Sequence, residues 1–410
     1  MNFFYTLFKL NIVDYNFDLS SEEIKQVERL NSGKFGLLEG LARYFYNLLK
    51  SLVFLQFNCC KHTNKVVFFA GSKNQFIPLE KLNKKIDETK FIYHGSYSDY
   101  KFFSNAEFFS YFISLFFLPI YIYRYLKTSS SYQRKMMRCR FDRYIHTYGL
   151  FCLYGFSFKG SRTKYVFFSN DHTVWTRVAN SVCRLNGIET VYIQHANVSK
   201  TFPKLEFDYA FLDGEYSESV YERQKYTKVY KVGCLRFEGE ISLTKPEDKL
   251  NTILCFNRLD SEEFIVSLCG KILEKVGLQI VGFRLHPADR RVHLAKKLES
   301  MGLKNETKGS SISSLSKYKF CFAGNSSVFL DASIAGCKSI SYEGWFGTED
   351  YYSFKKNGIV NVFCDLNLLL SYLGQIDDSS IEVSSIYNSV DPELICCQYP
   401  SERIMKVLKL

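Results

Sequence analysis

The 410-residue sequence has no Cys-x-x-Cys pair, no Asp-x-Asp and no carboxylates at metal-ligand spacing, so neither a zinc site nor a metal-bridged phosphate site has support. Its thirteen cysteines are odd in number and scattered, with Cys59-Cys60 and Cys396-Cys397 the only close pairs. That argues for reduced thiols and against a disulfide framework. The sequence also lacks an RNA-binding aromatic signature, a zinc finger and a basic helix with base-reading residues. A formal charge of +11 suits nucleotides, anionic lipid headgroups or nucleic acid, and nucleic acid ranks last. Tryptophan is scarce, 2 residues beside 38 Phe and 29 Tyr, so the aromatic richness speaks of large cores rather than of a site. No repeat or low-complexity tract is present.

The N-terminal "MNFFYTLFKLNIVDYNFDLSSEE" contains acids and no small-residue cleavage site, so no signal peptide and a cytoplasmic location are expected. "FFSYFISLFFLPIYIY" (108 to 123) is uncharged over sixteen residues, short of the roughly 20 a span needs, and contains Pro119. Basic residues without acids follow in "RYLKTSSSYQRKMMRCR". The first reading is a buried helix with a solvated basic loop; a hydrophobic, basic face on an anionic inner membrane surface comes next, and a true span last.

What is there is ordinary for a globular chain: 46% hydrophobic and 23% charged residues, with a length that suggests two domains. Short apolar runs ending in polar residues or Gly read as buried parallel strands: "KVVFFAG", "FIYHG", "KYVFFSN", "TVYIQHA" and "YAFLDG". "HTVWTRVANSVCRLNG" (172 to 187) reads as a helix closed by Gly187. After a polar stretch at 233 to 250 with Pro246, taken as a linker, a second series alternates "TILCFNR", a helix around 261 to 276, "LQIVGFRLHP", a helix near 290 to 301, "KFCFAGNSS", a helix from 327 to 335, and "KSISYEG". The expected fold is therefore α/β, two doubly wound Rossmann-like domains facing across a cleft, with ligands at the carboxyl ends of the strands.

The stretch "FAGNSSVFLDASIAG" ends a strand at Ala323, turns at Gly324 and offers Asn325 or Ser326 as cap for a helix near Ser327. It reads either as an ordinary capped helix or as a phosphate seat with two hydroxyls, Asp331 reaching a ribose hydroxyl. "FRLHPADRR" sets His286 at the end of a strand one strand-helix unit earlier, so that His286 and Arg284 could face a phosphate together, with Pro287 keeping the backbone extended. Arg290 and Arg291 are expected on the following helix, facing solvent. For the general base three strand ends compete, Asp171-His172, His195 and Asp213, each of which also has a plain structural reading. His195 and Asp171 are favoured as a pair facing across the cleft. Asn257 and Arg258 on the first loop of the second domain, Glu343 in "YEG" and the "GSKNQ" loop at 71 to 75 are weaker candidates for donor or acceptor contacts.

His-Pro followed some forty residues later by Ser-Ser resembles the bacterial sialyltransferases of GT-B fold and the related polysialyl and Kdo transferases, mainly over residues 250 to 345. The resemblance implies a CMP-sugar donor, no metal and no other cofactor, with His286, Ser326 and Ser327 on the CMP phosphate. It implies residues 1–235 as an acceptor-binding domain, 250–385 as a nucleotide-sugar domain and 386–410 as a tail packing back on the first. The acceptor would be a capsule, lipooligosaccharide or O-antigen glycan at the inner membrane face. The family's acidic pair before Gly is represented only by "FLDGE", with Leu212 in place of the first acid, so the base stays open. "QHA" together with "SSVFLD" also resembles the CDP-glycerol or CDP-ribitol phosphotransferases. A GT-B-like nucleotide-sugar epimerase and a noncatalytic capsule-assembly module complete the alternatives.

Overall fold

The computed structural model describes residues 37–53, 64–93, 105–198, 202–239, 249–276, 281–347, 350, 352–375 and 390–410. The N-terminal stretch, Cys59-Cys60 and the Pro246 part of the linker lie outside the described residues.

Two six-stranded parallel sheets carry the chain. The first contains β1 (Val66–Ala70), β2 (Thr89–Tyr93), β3 (Tyr165–Phe168), β4 (Glu189–Ile193), β5 (Tyr209–Leu212) and β6 (Lys228–Lys231) in the order β2-β1-β3-β4-β5-β6. The second contains β7 (Leu250–Phe256), β8 (Val281–Leu285), β9 (Lys304–Asn305), β10 (Tyr318–Ala323), β11 (Lys338–Tyr342) and β12 (Val360–Phe363) in the order β12-β11-β10-β7-β8-β9. Every residue of β1, β3 and β8 is buried, as strands covered on both faces require. Strand order reverses between β1 and β3 and between β7 and β10, and the crevices that ligands occupy in such sheets open there.

The helices between strands follow their local signals. Val174–Leu185 is preceded by Asn170, whose Oδ1 accepts from the backbone of His172 (3.1 Å) and Thr173 (2.8 Å). It ends at Gly187 with φ of 69°, where Ile188 N–H reaches Cys183 O at 2.9 Å, as the sequence predicts. The abundant Phe and Tyr fill the cores: Phe68 packs at 5.0 Å from both Phe91 and Phe167, and Tyr44, Tyr192 and Tyr318 are fully buried. The tail returns to the first domain. Leu394, Ile404 and Leu408 pack in the core with Val66 and Phe68, and Tyr165 Oη donates to Leu408 O at 3.0 Å.

The uncharged stretch at 108 to 123 is two helices, Asn105–Leu115 and Leu118–Lys127, broken at Phe116-Phe117 with Pro119 in the first turn of the second. Among the described residues no helix is long and apolar enough to cross a membrane. The first of the pair crosses the buried helix Phe141–Phe158 at Gly149, where an added Cβ would lie 1.6 Å from Ser110 O. Gly→Ala in a helix interior ordinarily stabilises by up to about 1 kcal/mol. Overpacking costs about 1–3 kcal/mol and wins here. Gly149→Ala is therefore expected to lower the melting temperature, and a rise would show that the helices can part without cost.

Candidate functional site

The carboxyl edges of the two sheets enclose a cavity of about 430 Å³. The first domain lines it with Asn74 and Ile77 from the helix Lys73–Asn83, with His195, Ala196 and Asn197 after β4, and with Arg236 and Phe237. The second lines it with the ends of β7 and β8, with His286 and Pro287, with Ser310 and Ser311, and with Ser326, Ser327, Val328 and Asp331. His286 and the Ser-Ser pair thus share one wall, but β8 and β10 flank β7 instead of adjoining. The two-residue β9 and the helix Ser311–Leu315 intervene in the chain, both too short for sequence periodicity to reveal.

His286 Nδ1 accepts the backbone N–H of Ala288 at 3.1 Å. The neutral ring must then carry its proton on Nε2, which is left as a donor. Ser326 Oγ accepts weakly from Val328 N at 3.4 Å, and Ser327 stands at the N-cap position without making a side-chain cap, so its hydroxyl is not committed to the helix. Gly324 is obligatory for packing: a Cβ there would meet Trp345 Nε1 at 2.8 Å, and this indole donates to Asp260 Oδ1 at 3.2 Å.

His195 is the half-buried counterpart from the first domain. Its Nδ1 has no hydrogen-bond partner. Burial pushes its pKa down to about 4, with Asp171 pulling the other way and His172 and Arg236 adding to the fall. The imidazole is accordingly a neutral base at ordinary pH. Asp171 does not face His195 across the cleft: both follow neighbouring strands of one sheet, β3 and β4. Asp171 Oδ1 meets His172 Nδ1 at 2.8 Å and Oδ2 accepts from Tyr221 Oη at 2.8 Å. Burial and Asp171 raise the Tyr221 pKa well above its ordinary value, so that hydroxyl remains a donor.

Arg236, within the stretch the sequence suggests as a linker, bridges the two domains. It sits in the short turn Leu235–Phe237, where its Nη2 lies 3.6 Å from Asp213 Oδ2, 3.3 Å from Asn197 Oδ1 and 3.4 Å from Asp331 Oδ1. Its Nη1 reaches His195 O at 3.5 Å. Burial opposes its charge, but Cys234, Asp331 and Asp213 outweigh burial and hold its pKa above the ordinary range. Asp213 is buried, its pKa raised to about 6 by desolvation against the pull of Arg236. Asn197 Nδ2 adds another interdomain bond, to Ser327 O at 2.8 Å, and Tyr216 Oη donates to Tyr352 O. One signal could have found Arg236: "LRF" sets a lone cation between two apolar residues that are both buried.

Other expectations need correction. Asp331 is engaged on both oxygens, by Arg236 and by Ser311 Oγ at 2.6 Å, so it anchors the wall rather than presenting a free carboxylate. Arg284 touches the cavity, yet its guanidinium is directed to Glu306 O (2.6 Å), Gly309 O (2.9 Å) and Ser314 Oγ (3.2 Å), as a strand residue 9% exposed must be. Asn257 and Arg258 are exposed and outside the lining, because Asn257 closes a turn with Asp260, whose Oδ2 takes its N–H at 2.7 Å. Glu343 is exposed and pairs with Lys355 at 3.2 Å. Asn325 is half-buried beside the lining. Arg291 precedes the helix Val292–Ser300 and forks onto Asp289 (2.6 Å) and Asp260 O (2.8 Å), while Arg290 is exposed. Among the described residues no group of His, Cys, Asp and Glu is arranged to hold a metal ion.

No protein-family model matches the chain, and no curated protein matches it either. Among solved structures it is similar to the calicheamicin glycosyltransferase CalG4, with a TM-score of 0.50 at 8% identity over 84% of this chain and 98% of that one. It is also similar to the UDP-GlcNAc 2-epimerase from Methanocaldococcus jannaschii, with a TM-score of 0.48 at 12% identity over 84% and 99%. The wall teichoic acid polymerase TagF gives 0.45 at 11% identity over 91% and 98%. At such identities likeness speaks of architecture, and the match to CalG4 together with the two facing parallel sheets gives the chain the GT-B fold.

Proposed function

We propose that the protein is a nucleotide-sugar-dependent glycosyltransferase, working without a metal. Its donor would be a CMP-activated 2-keto acid sugar, and its acceptor a surface glycan or glycolipid at the inner membrane face. The observation that carries this reading is the opposition, in one cavity, of the His195 imidazole from the first domain to His286, Ser326 and Ser327 from the second. His195 accepts the proton of an acceptor hydroxyl as the new bond to the anomeric carbon forms. The bond from that carbon to the CMP phosphate oxygen breaks, and the charge left on the phosphate is met by the His286 N–H and the two serine hydroxyls.

A second reading is favoured by one feature: the first domain lines the cavity with an imidazole and no carboxylate, Asp213 being buried beside Arg236 and outside the lining. That suits transfer of a polyol phosphate from a CDP-polyol, the other resemblance of "QHA" and "SSVFLD". Thermal shifts with CMP, CDP, UDP and GDP, and with a CMP-sugar beside a CDP-polyol, test both. Cytidine nucleotides are expected to stabilise the wild type, and His286→Ala to lose most of that shift. Stabilisation by UDP or GDP alone would overturn the donor assignment, and no shift with any nucleotide would point to a noncatalytic module.

A further inference from the structure

The first domain carries a second surface whose residues contribute nothing to the cavity wall. The helix Leu37–Val53 buries Tyr44 and packs Leu41 and Leu48 on the core. On its other side Leu38, Ala42, Phe45 and Leu49, at i, i+4, i+7 and i+11, are exposed, Leu38 to 83% and Leu49 to 61%. This helix packs beside Asn105–Leu115, which leads into Leu118–Lys127. Along that pair Phe112, Phe116, Pro119, Ile122, Tyr123 and Leu126 continue an exposed ridge at helical spacing, with Phe116 and Leu126 each 72% exposed.

The ridge runs into exposed basic residues: Lys127, then Arg134, Lys135 and Arg138 on the helix Ser131–Cys139, then Arg143. Between Arg124 and Arg143 the sole acid is Asp142, which is buried and lies 3.5 Å from Arg43. Apolar side chains of this extent are costly to leave in water. A bilayer interface meets both halves of the surface, with acyl chains for the ridge and anionic headgroups for the exposed basic residues that follow it.

We propose that this face docks the first domain onto an anionic bilayer, the ridge entering the acyl boundary and the helix Ser131–Cys139 lying on the headgroups. The proposal rests on, and deepens, the reading of a membrane-presented acceptor. Nucleotide binding and vesicle binding fail separately, because they use different residues.

The full-length protein is to be centrifuged with phosphatidylcholine vesicles, with and without phosphatidylglycerol. It is expected to pellet with the anionic vesicles, to be released by high salt, and to lose roughly tenfold in apparent affinity in Phe116→Glu/Leu126→Glu. Arg134→Ala/Arg138→Ala should bind several-fold more weakly. Leu259→Glu, at a residue 83% exposed on the second domain, should pellet like the wild type. Circular dichroism melts check each variant, and Phe116→Ser/Leu126→Ser replaces the Glu pair if that one does not fold. Wild type remaining in the supernatant, or the double variant pelleting undiminished, would overturn the proposal. So would a wild-type dimer in light scattering that the double variant abolishes without any vesicle binding, since the ridge would then be covered by a second copy.

Discussion

Replacing Arg236 by leucine is expected to destabilise the protein by about 3–5 kcal/mol, the typical cost of stranding buried charges by removing one partner. Three side chains contribute: Arg236 holds Asp213 from the first domain, Asp331 from the second, and Asn197 between them. The loss should depend on pH in a definite sense. Desolvation already lifts the Asp213 pKa to about 6 with the cation present. Without the cation it rises further, so the variant pays for an ionised, uncompensated carboxylate above that range and is relieved as protonation neutralises it below. Denaturant titrations at pH 8 and pH 5 should therefore show a larger gap between wild type and variant at the higher pH. A gap independent of pH would mean that the cost comes from lost packing and not from Asp213. Arg236→Lys keeps the charge but loses the fork that reaches three partners, and should fall between the two.

His195→Gln is expected to lower turnover by about 10²–10⁴-fold, the usual contribution of a positioned general base. Its pH profile supplies the more specific check. Burial pushes the His195 pKa down to about 4, so the neutral base is present above that value and the acid limb of kcat/KM in the wild type should fall near it. The glutamine variant should lack that limb. Stability follows the same titration: a folded pKa below the ordinary imidazole value near 6.5 gives stability that is present above about 6.5 and lost as pH falls towards 4. The wild type should lose up to roughly 3 kcal/mol over that window, and the variant should not. Unchanged turnover in His195→Gln would move the base to another residue.

The sequence shows the central strands because they are apolar runs: "VVFFA" in β1 and "YVFF" in β3 are unbroken, "VGFRL" in β8 is interrupted only by Arg284, and all three are buried throughout. β6, β9 and β12 were not legible. "KVYK", "KN" and "VNVF" are short edge strands with half-exposed or exposed residues, so no continuous hydrophobic signal marks them. In the site, His286 and Ser326-Ser327 could be read from strand ends alone, since the doubly wound topology sends those loops to one edge. The engagements of Arg236, Asp331 and Arg284 could not. Arg236 meets Asp331 across 95 residues and Asn197 across 39, and Arg284 meets Glu306 across 22. Such partners are set by domain packing, which local pattern does not encode. Asn257 and Arg258 failed for the opposite reason, a local turn that closes on its own Asp260.

The return of the last residues onto the first domain means that the polypeptide passes between the domains twice, outward beyond Arg236 and back after the helix Leu366–Gln375. A single connection would act as a swivel, free to twist and tilt. Two crossings remove that freedom, and Tyr216 of the first domain, packed in one core with Phe329 and Phe354 of the second, adds an apolar contact to the ion pairs at Arg236. The two walls of the cavity are thus held opposite each other by chain path, apolar packing and charge together.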